Sequence, residues 1–215
     1  MKHKQHGFTL VEIAIVLVII GLLLGGVLKG QEMINSAKVK NLANDFRSIP
    51  LFIYGYQDKF KRLPGDDSAV ATHLGATATA ASTPAGGLGN GVIEGDWNST
   101  SVTDESVLFW QHIRLAGLVT GSTDFSDATK AGLPANAEGG RFGLQMTPPI
   151  KGLSGSYYAC SSGISGKLAQ QLDSSIDDGA AKLGSMRAQE TSTNAANEGA
   201  SEYDGSKIYA VCLAF

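Results

Sequence analysis

The N-terminal stretch "MKHKQHGFTLVEIAIVLVIIGLLLGGVLKGQ" constrains this chain more than any other feature, because the 21 residues from Phe8 to Leu28 are apolar apart from one carboxylate, Glu12. As a helix, at about 1.5 Å per residue, that run would be roughly 31 Å long, close to the roughly 30 Å hydrocarbon thickness of a bilayer. It can therefore span a membrane. Lys2 and Lys4 precede it, so the positive-inside bias keeps the head in the cytoplasm and places everything beyond Lys29 on the opposite side.

Two plain readings compete for such a stretch. A secretory signal would end a shorter apolar core at a small-x-small cleavage site, whereas here the run is long and continues into the helix-compatible "KGQEMINSAKVKNLANDFRSI". A simple anchor has no use for Glu12, since a carboxylate in a spanning helix is costly and wants a partner.

"GFTLVE" after a short basic leader, followed by about twenty apolar residues, resembles the N-terminus of the type IV pilin and type II secretion pseudopilin superfamily. The resemblance implies cleavage by a prepilin peptidase after Gly7 and N-methylation of the new first residue, Phe8. It makes Glu12 the assembly residue that pairs with the amino terminus of a neighbouring subunit. Such a pairing is physically sensible, because a buried carboxylate beside an ammonium offsets part of the desolvation neither charge could bear alone. Many fibre-forming members carry a proline near the outer end of this stretch; here the region is "GGVLKG", with Gly25, Gly26 and Gly30. Major pilin, minor pilin and pseudopilin all stay open.

The implied fold is α+β, a ladle whose handle is a long first helix packed on a small antiparallel sheet with a loop-rich headgroup. The expected organisation is a leader over 1–7, a transmembrane and assembly helix over 8–28, the amphipathic half of that helix over 29–62, and an extracytoplasmic headgroup over 63–215. Leu42, Phe46, Ile49, Ile53, Tyr56 and Phe60 recur at steps of three and four, which places them on one helical face. Pro50 falls inside this pattern and is expected to kink the helix. Phe52, Tyr54 and Tyr56 are read as core packing rather than as a conducting stack.

"RLPGDD" should end the helix, with Asp66 or Asp67 capping the next segment. Residues 75–91, low in bulky apolar groups, read as a flexible surface connector. A second helix is predicted over Asp104–Leu118, with His112 packed on its apolar face. "RFGLQM", "GSYYAC" and "KIYAVCLAF" alternate as strands, and a helix is expected over Gly163–Ile176. Residues 180–206 are polar enough to form an exposed C-terminal loop.

The chain has two cysteines, Cys160 and Cys212, in two of the predicted strands on the far side of the membrane. An oxidising compartment favours a disulfide between them, with two buried free thiols as the alternative. Such tying of a C-terminal loop is also what the resemblance implies. With 17 Lys+Arg against 20 Asp+Glu and a net charge of −3, nucleic acid is not expected as a partner. No metal site is assigned and no cofactor is expected. Calcium is weighed on two oxygen sets, Asn90 with Glu94 in "GGLGNGVIEG" and the pair Asp177 and Asp178; the first fails at most positions of an EF-hand loop. No nucleophile elbow, metal-ligand pair or phosphate loop supports catalysis.

These readings converge on a non-enzymatic structural subunit, cleaved, N-methylated and polymerised into a type IV pilus or pilus-like fibre. The alternatives are a type II secretion pseudopilin and a minor tip pilin acting as an adhesin. The implied partners are identical or related pilin subunits, a prepilin peptidase/methyltransferase, an inner-membrane assembly platform, and membrane lipid before assembly. The implied location is a single pass of the inner membrane, then a fibre.

Overall fold

The computed structural model describes residues 9–83, 87–191 and 198–215. Two compact units are distinguished, Met1–Lys38 and Val39–Phe215.

Helix α1, Leu10–Phe60, begins in the first unit and ends in the second. In the first unit its apolar side chains from Leu10 to Leu28 are exposed. In the second, Val39, Leu42, Ala43, Phe46, Ile49, Ile53 and Tyr56 are buried, which is the face the helical spacing marks out. The helix runs through Pro50, whose missing N–H costs it one ladder hydrogen bond. It ends at Phe60, where Lys61 adopts a positive φ of 56° ahead of Pro64 and Gly65.

Among the described residues, four further helices belong to the second unit: α2 (Val70–Leu74), α3 (Glu105–Leu115), α4 (Ala128–Ala131) and α5 (Gly166–Ile176). The strands among the described residues, β1 (Phe142–Gln145), β2 (Tyr158–Ser165), β3 (Met186–Glu190) and β4 (Ile208–Ala214), form one antiparallel sheet in the order β1-β2-β4-β3. The chain thus has the α+β arrangement expected, a long N-terminal helix packed on a small antiparallel sheet.

The sheet is buried on both faces. Phe142, Leu144, Met186, Ala188, Val211 and Leu213 meet α1, α3 and α5 in the main core. Tyr158, Cys160, Cys212 and Ala214 face a second, smaller core with Ile150 and Leu153, against which Trp97 packs. Gly143 permits this cover, because a Cβ there would collide with the Trp97 carbonyl.

Several expectations need correction. Tyr54 is 59% exposed and does not pack in the core, whereas Tyr56 is fully buried and the half-buried Phe52 packs against the main core, as expected. The predicted helix from Gly163 starts at Gly166, and Ile164 instead pairs with Tyr209 in the sheet. A bulge between Ser161 and Ile164 makes this possible: Gly163 takes φ 74°, which a side chain would resist, and the strand recovers its pairing beyond it. Within the segment 180–206, expected as a polar loop, Met186–Glu190 is a strand whose Met186 and Ala188 are buried. Its neighbour β4 supplies the pairing that local composition does not signal.

Candidate functional site

At the start of α1, the Thr9 N–H and hydroxyl both donate to Glu12 Oε2 at 2.8 Å, and the Glu12 N–H donates back to Thr9 Oγ1 at 3.3 Å. This is a reciprocal capping box, which satisfies donors that a helix N-terminus otherwise leaves open. The T-x-x-E spacing carried that signal, and it adds a local role to a residue read from sequence only as an assembly acid. Gly7 and Phe8, the expected cleavage and N-methylation positions, lie outside the described residues. Beyond Glu12, α1 is the one described helix long and apolar enough to cross a membrane.

At the other end of α1, the "LPGDD" turn is not a simple exposed cap. Asp66 and Asp67 are both buried. Asp66 accepts from the backbone N–H groups of Gly89, Asn90 (3.2 Å) and Gly91 (2.7 Å), and so pins the segment expected to be a flexible connector. Asp67 accepts from the Tyr56 hydroxyl at 2.8 Å and the Ala69 N–H at 2.9 Å, and lies 2.6 Å from His73 Nδ1. Burial alone would push the Asp67 carboxyl up, but the hydrogen bonds from His73, Tyr56 and Ala69, with the adjacent imidazole charge, hold it below its ordinary value.

His112 fixes the same turn from α3. Its Nδ1 accepts the Gly65 N–H at 2.9 Å and its Nε2 lies 2.9 Å from the Thr79 carbonyl. An acceptor at Nδ1 and a donor at Nε2 define a neutral imidazole with the proton on Nε2. Burial lowers its pKa in the same direction. Gly65 has φ 94°, and a Cβ there would collide with the Glu105 carbonyl.

Glu105, at the first turn of α3, is buried and accepts the Glu94 N–H at 2.8 Å. Burial is the main cause that pushes its carboxyl up to about 8, and the nearby carboxylates of Glu94 and Asp66 act in the same sense. The acids around the turn are thus structural groups within hydrogen-bond networks.

Cys160 and Cys212 are directly opposite each other in the β2–β4 register, and a disulfide joins them with Cα atoms 4.1 Å apart. Both are buried. Of the calcium candidates, Asn90 Nδ2 donates to Glu94 Oε1 at 2.7 Å, so those two groups serve one another. Asp177 and Asp178 are joined by Asp173, which sequence reasoning missed although a four-residue step at the end of a helix brings it close. Oxygens of the three approach within 4.8 Å and could hold a hard cation. Each already accepts from the protein: Asp173 from Tyr203 Oη (2.7 Å) and Gly179 N–H (3.1 Å), Asp177 from Ser185 N–H (2.6 Å) and Met186 N–H (2.9 Å), and Asp178 from Ala180 N–H (2.8 Å).

No curated protein and no solved structure matches the chain. Residues 2–28 match the family described as the prokaryotic N-terminal methylation motif, and this match, with the exposed apolar face of α1, supports a type IV pilin- or pseudopilin-like prepilin.

Proposed function

We propose that the chain is a structural subunit, inserted as a single-pass inner-membrane protein, cleaved after Gly7, N-methylated at Phe8 and polymerised through α1 into a type IV pilus or pilus-like fibre. The observation that carries this reading is the methylation motif over residues 2–28, with Glu12 as the one acid in its apolar run. A helix whose apolar side chains are all exposed over Leu10–Leu28 is stable only in lipid or against other such helices. The same surface therefore serves storage in the membrane and packing in a fibre.

Glu12 gives the reading its mechanism. In the single chain its carboxylate is satisfied by Thr9 at its own helix start. In a fibre of apolar helices, a second subunit's α-ammonium at Phe8 would be the matching charge, and the ion pair would set the axial register. Replacement by alanine, Glu12→Ala, tests this: cleavage at Gly7 should continue while fibre yield collapses. Fibres at wild-type yield would overturn it. A deletion strain scored for surface fibres and for periplasmic accumulation of secreted proteins then assigns the machine, since loss of fibres with normal export points to a pilus.

A further inference from the structure

The segment "GDWNST", residues 95–100, is not used by the fibre-forming role. Asn98-Ser99-Thr100 is an N-x-T triplet, the acceptor pattern for N-linked glycosylation, and the chain has no other N-x-S or N-x-T. Asp96 stands two residues before Asn98 and extends the pattern to D-x-N-x-T.

The segment lies in the loop ahead of α3, outside any helix or strand. The Ser99 N–H donates to the Asp96 carbonyl at 3.0 Å, which closes a turn with Trp97 and Asn98 at its corners. Burial alternates along it: Asp96, Asn98 and Thr100 are exposed, whereas Trp97 and Ser99 are half-buried. The half-buried pair is fastened to the protein. The Trp97 N–H donates to Gln145 Oε1 at 2.8 Å, the Ser99 carbonyl accepts from Arg141 Nη2 at 2.7 Å, and the Ser99 hydroxyl donates to Asp104 Oδ2 at 2.6 Å.

The Asn98 amide and the Thr100 hydroxyl, by contrast, have no hydrogen-bond partner among the described residues. Asn98 also borders a cleft of about 340 Å³ whose wall includes Asp96, Trp97, Gln145 and Thr147, so open volume lies beside it. The side chains that define D-x-N-x-T are thus the ones the fold leaves to solvent, and the residues between them hold the turn in place.

Each exposed group has a chemical use in an acceptor. The amide nitrogen is the atom that receives the sugar. The hydroxyl two residues on can hydrogen-bond within a transferase and fix the orientation of the amide. The carboxylate on the other side offers a charge to a cationic subsite. We propose that Asn98 is an N-glycosylation site, modified on the extracytoplasmic side by a membrane oligosaccharyltransferase whose donor is an oligosaccharide carried on a polyprenyl diphosphate. Asn98 Nδ2 forms a bond to the anomeric carbon of the first sugar, and the bond from that carbon to the diphosphate oxygen breaks. One Nδ2 proton passes to a base on the transferase, and polyprenyl diphosphate leaves; nothing is oxidised or reduced. This site rests on the membrane topology proposed above, which carries the headgroup across, and not on fibre formation.

Peptide mass spectrometry of the full-length chain, purified in detergent from the cells that naturally make it, tests the assignment. The peptide containing Asn98 should carry the added mass of an oligosaccharide. Asn98→Gln and Thr100→Val should abolish that mass, Thr100→Ser, which keeps the hydroxyl, should retain it, and Asp96→Ala should lower its occupancy. Thiol alkylation should show Cys160 and Cys212 oxidised in the wild type and in every variant, which reports folding and export independently of the glycan. With the cysteines oxidised, an unmodified Asn98, a mass change no larger than that of deamidation, or a glycan that persists in Asn98→Gln or Thr100→Val would overturn the assignment. Free cysteines together with an unmodified Asn98 would overturn the topology and the assignment at once.

Discussion

The hydroxyl of Tyr56, in the last turns of α1, donates to the carboxylate of Asp67 across 2.8 Å, and both side chains are fully buried. The bond joins the end of the long helix to the turn beyond it. Asp67 in turn orders α2 through Ala69 and His73. Tyr56→Phe leaves the ring packing and removes one donor from a buried carboxylate, a loss of about 1.5–3 kcal/mol for a hydrogen bond to a charged group. Urea unfolding in detergent micelles should show the midpoint falling with the slope unchanged; an unaltered midpoint would mean the bond contributes nothing net.

Glu105 and His112 give opposite pH responses. The carboxyl of Glu105 stands at about 8 in the folded chain against 4.5 as its ordinary value. A carboxyl raised on folding contributes stability that is full below pH 4.5 and is lost as pH rises towards about 8. Glu105→Gln retains an oxygen for the Glu94 N–H and cannot ionise. It should match the wild type at about pH 4.5 and melt higher than it at about pH 9. Equal melting at the higher pH would show that Glu105 does not carry the effect.

His112 works in the other direction. Its pKa is lowered from 6.5 by burial, so the unfolded chain takes up the proton first and stability falls as pH drops below 6.5. Nitrogen-15 spectra of the imidazole should show Nε2 protonated and Nδ1 bare at pH 6.5, a tautomer that protonation at Nδ1 would destroy by setting two donors, Gly65 N–H and Nδ1–H, face to face. Detection of imidazolium in the folded chain at that pH would refute this.

Cys160 and Cys212 close a loop of 52 residues. Replacing both by alanine should destabilise the fold by about 4 kcal/mol on the chain-entropy account. The prediction is checked by comparing the double variant with the oxidised and reduced wild type; the reduced wild type should behave like the variant. Because the pair sits in the smaller core, on the sheet face opposite the main one, the loss should appear first in exchange of the β2–β4 amides.

At the start of α1, Glu12→Gln is the sharper companion of Glu12→Ala. The amide oxygen still accepts from Thr9, so the capping box persists, but no charge remains for a neighbour's amino terminus. Fibre yield should fall nearly as far as with alanine. Full assembly by the glutamine variant would assign Glu12 to helix capping alone.

What the sequence determined by itself lies along single elements. The apolar run with its lone acid, the three-and-four spacing of Leu42 to Tyr56, and the alternation in Phe142–Gln145 and Ile208–Ala214 are local periodicities, which survive in any context because they follow from the geometry of one helix or one strand. The tertiary structure decided everything that depends on partners distant in the chain. Asp66 and Asp67 look like turn acids until Gly89–Gly91, Tyr56 and His73 close over them. Met186–Glu190 is a strand only because β4 offers an edge, and Ile164 leaves the predicted helix only because Tyr209 stands opposite it. Tyr54, read as core, is exposed and meets the Tyr157 hydroxyl at 2.7 Å, since only packing chooses which side of a mixed aromatic run turns inward. Even the capping of Glu12 by Thr9, though spelled out locally as T-x-x-E, was hidden by the stronger apolar signal around it. Burying a polar group is favourable only when its partners arrive, and those partners are a property of the fold.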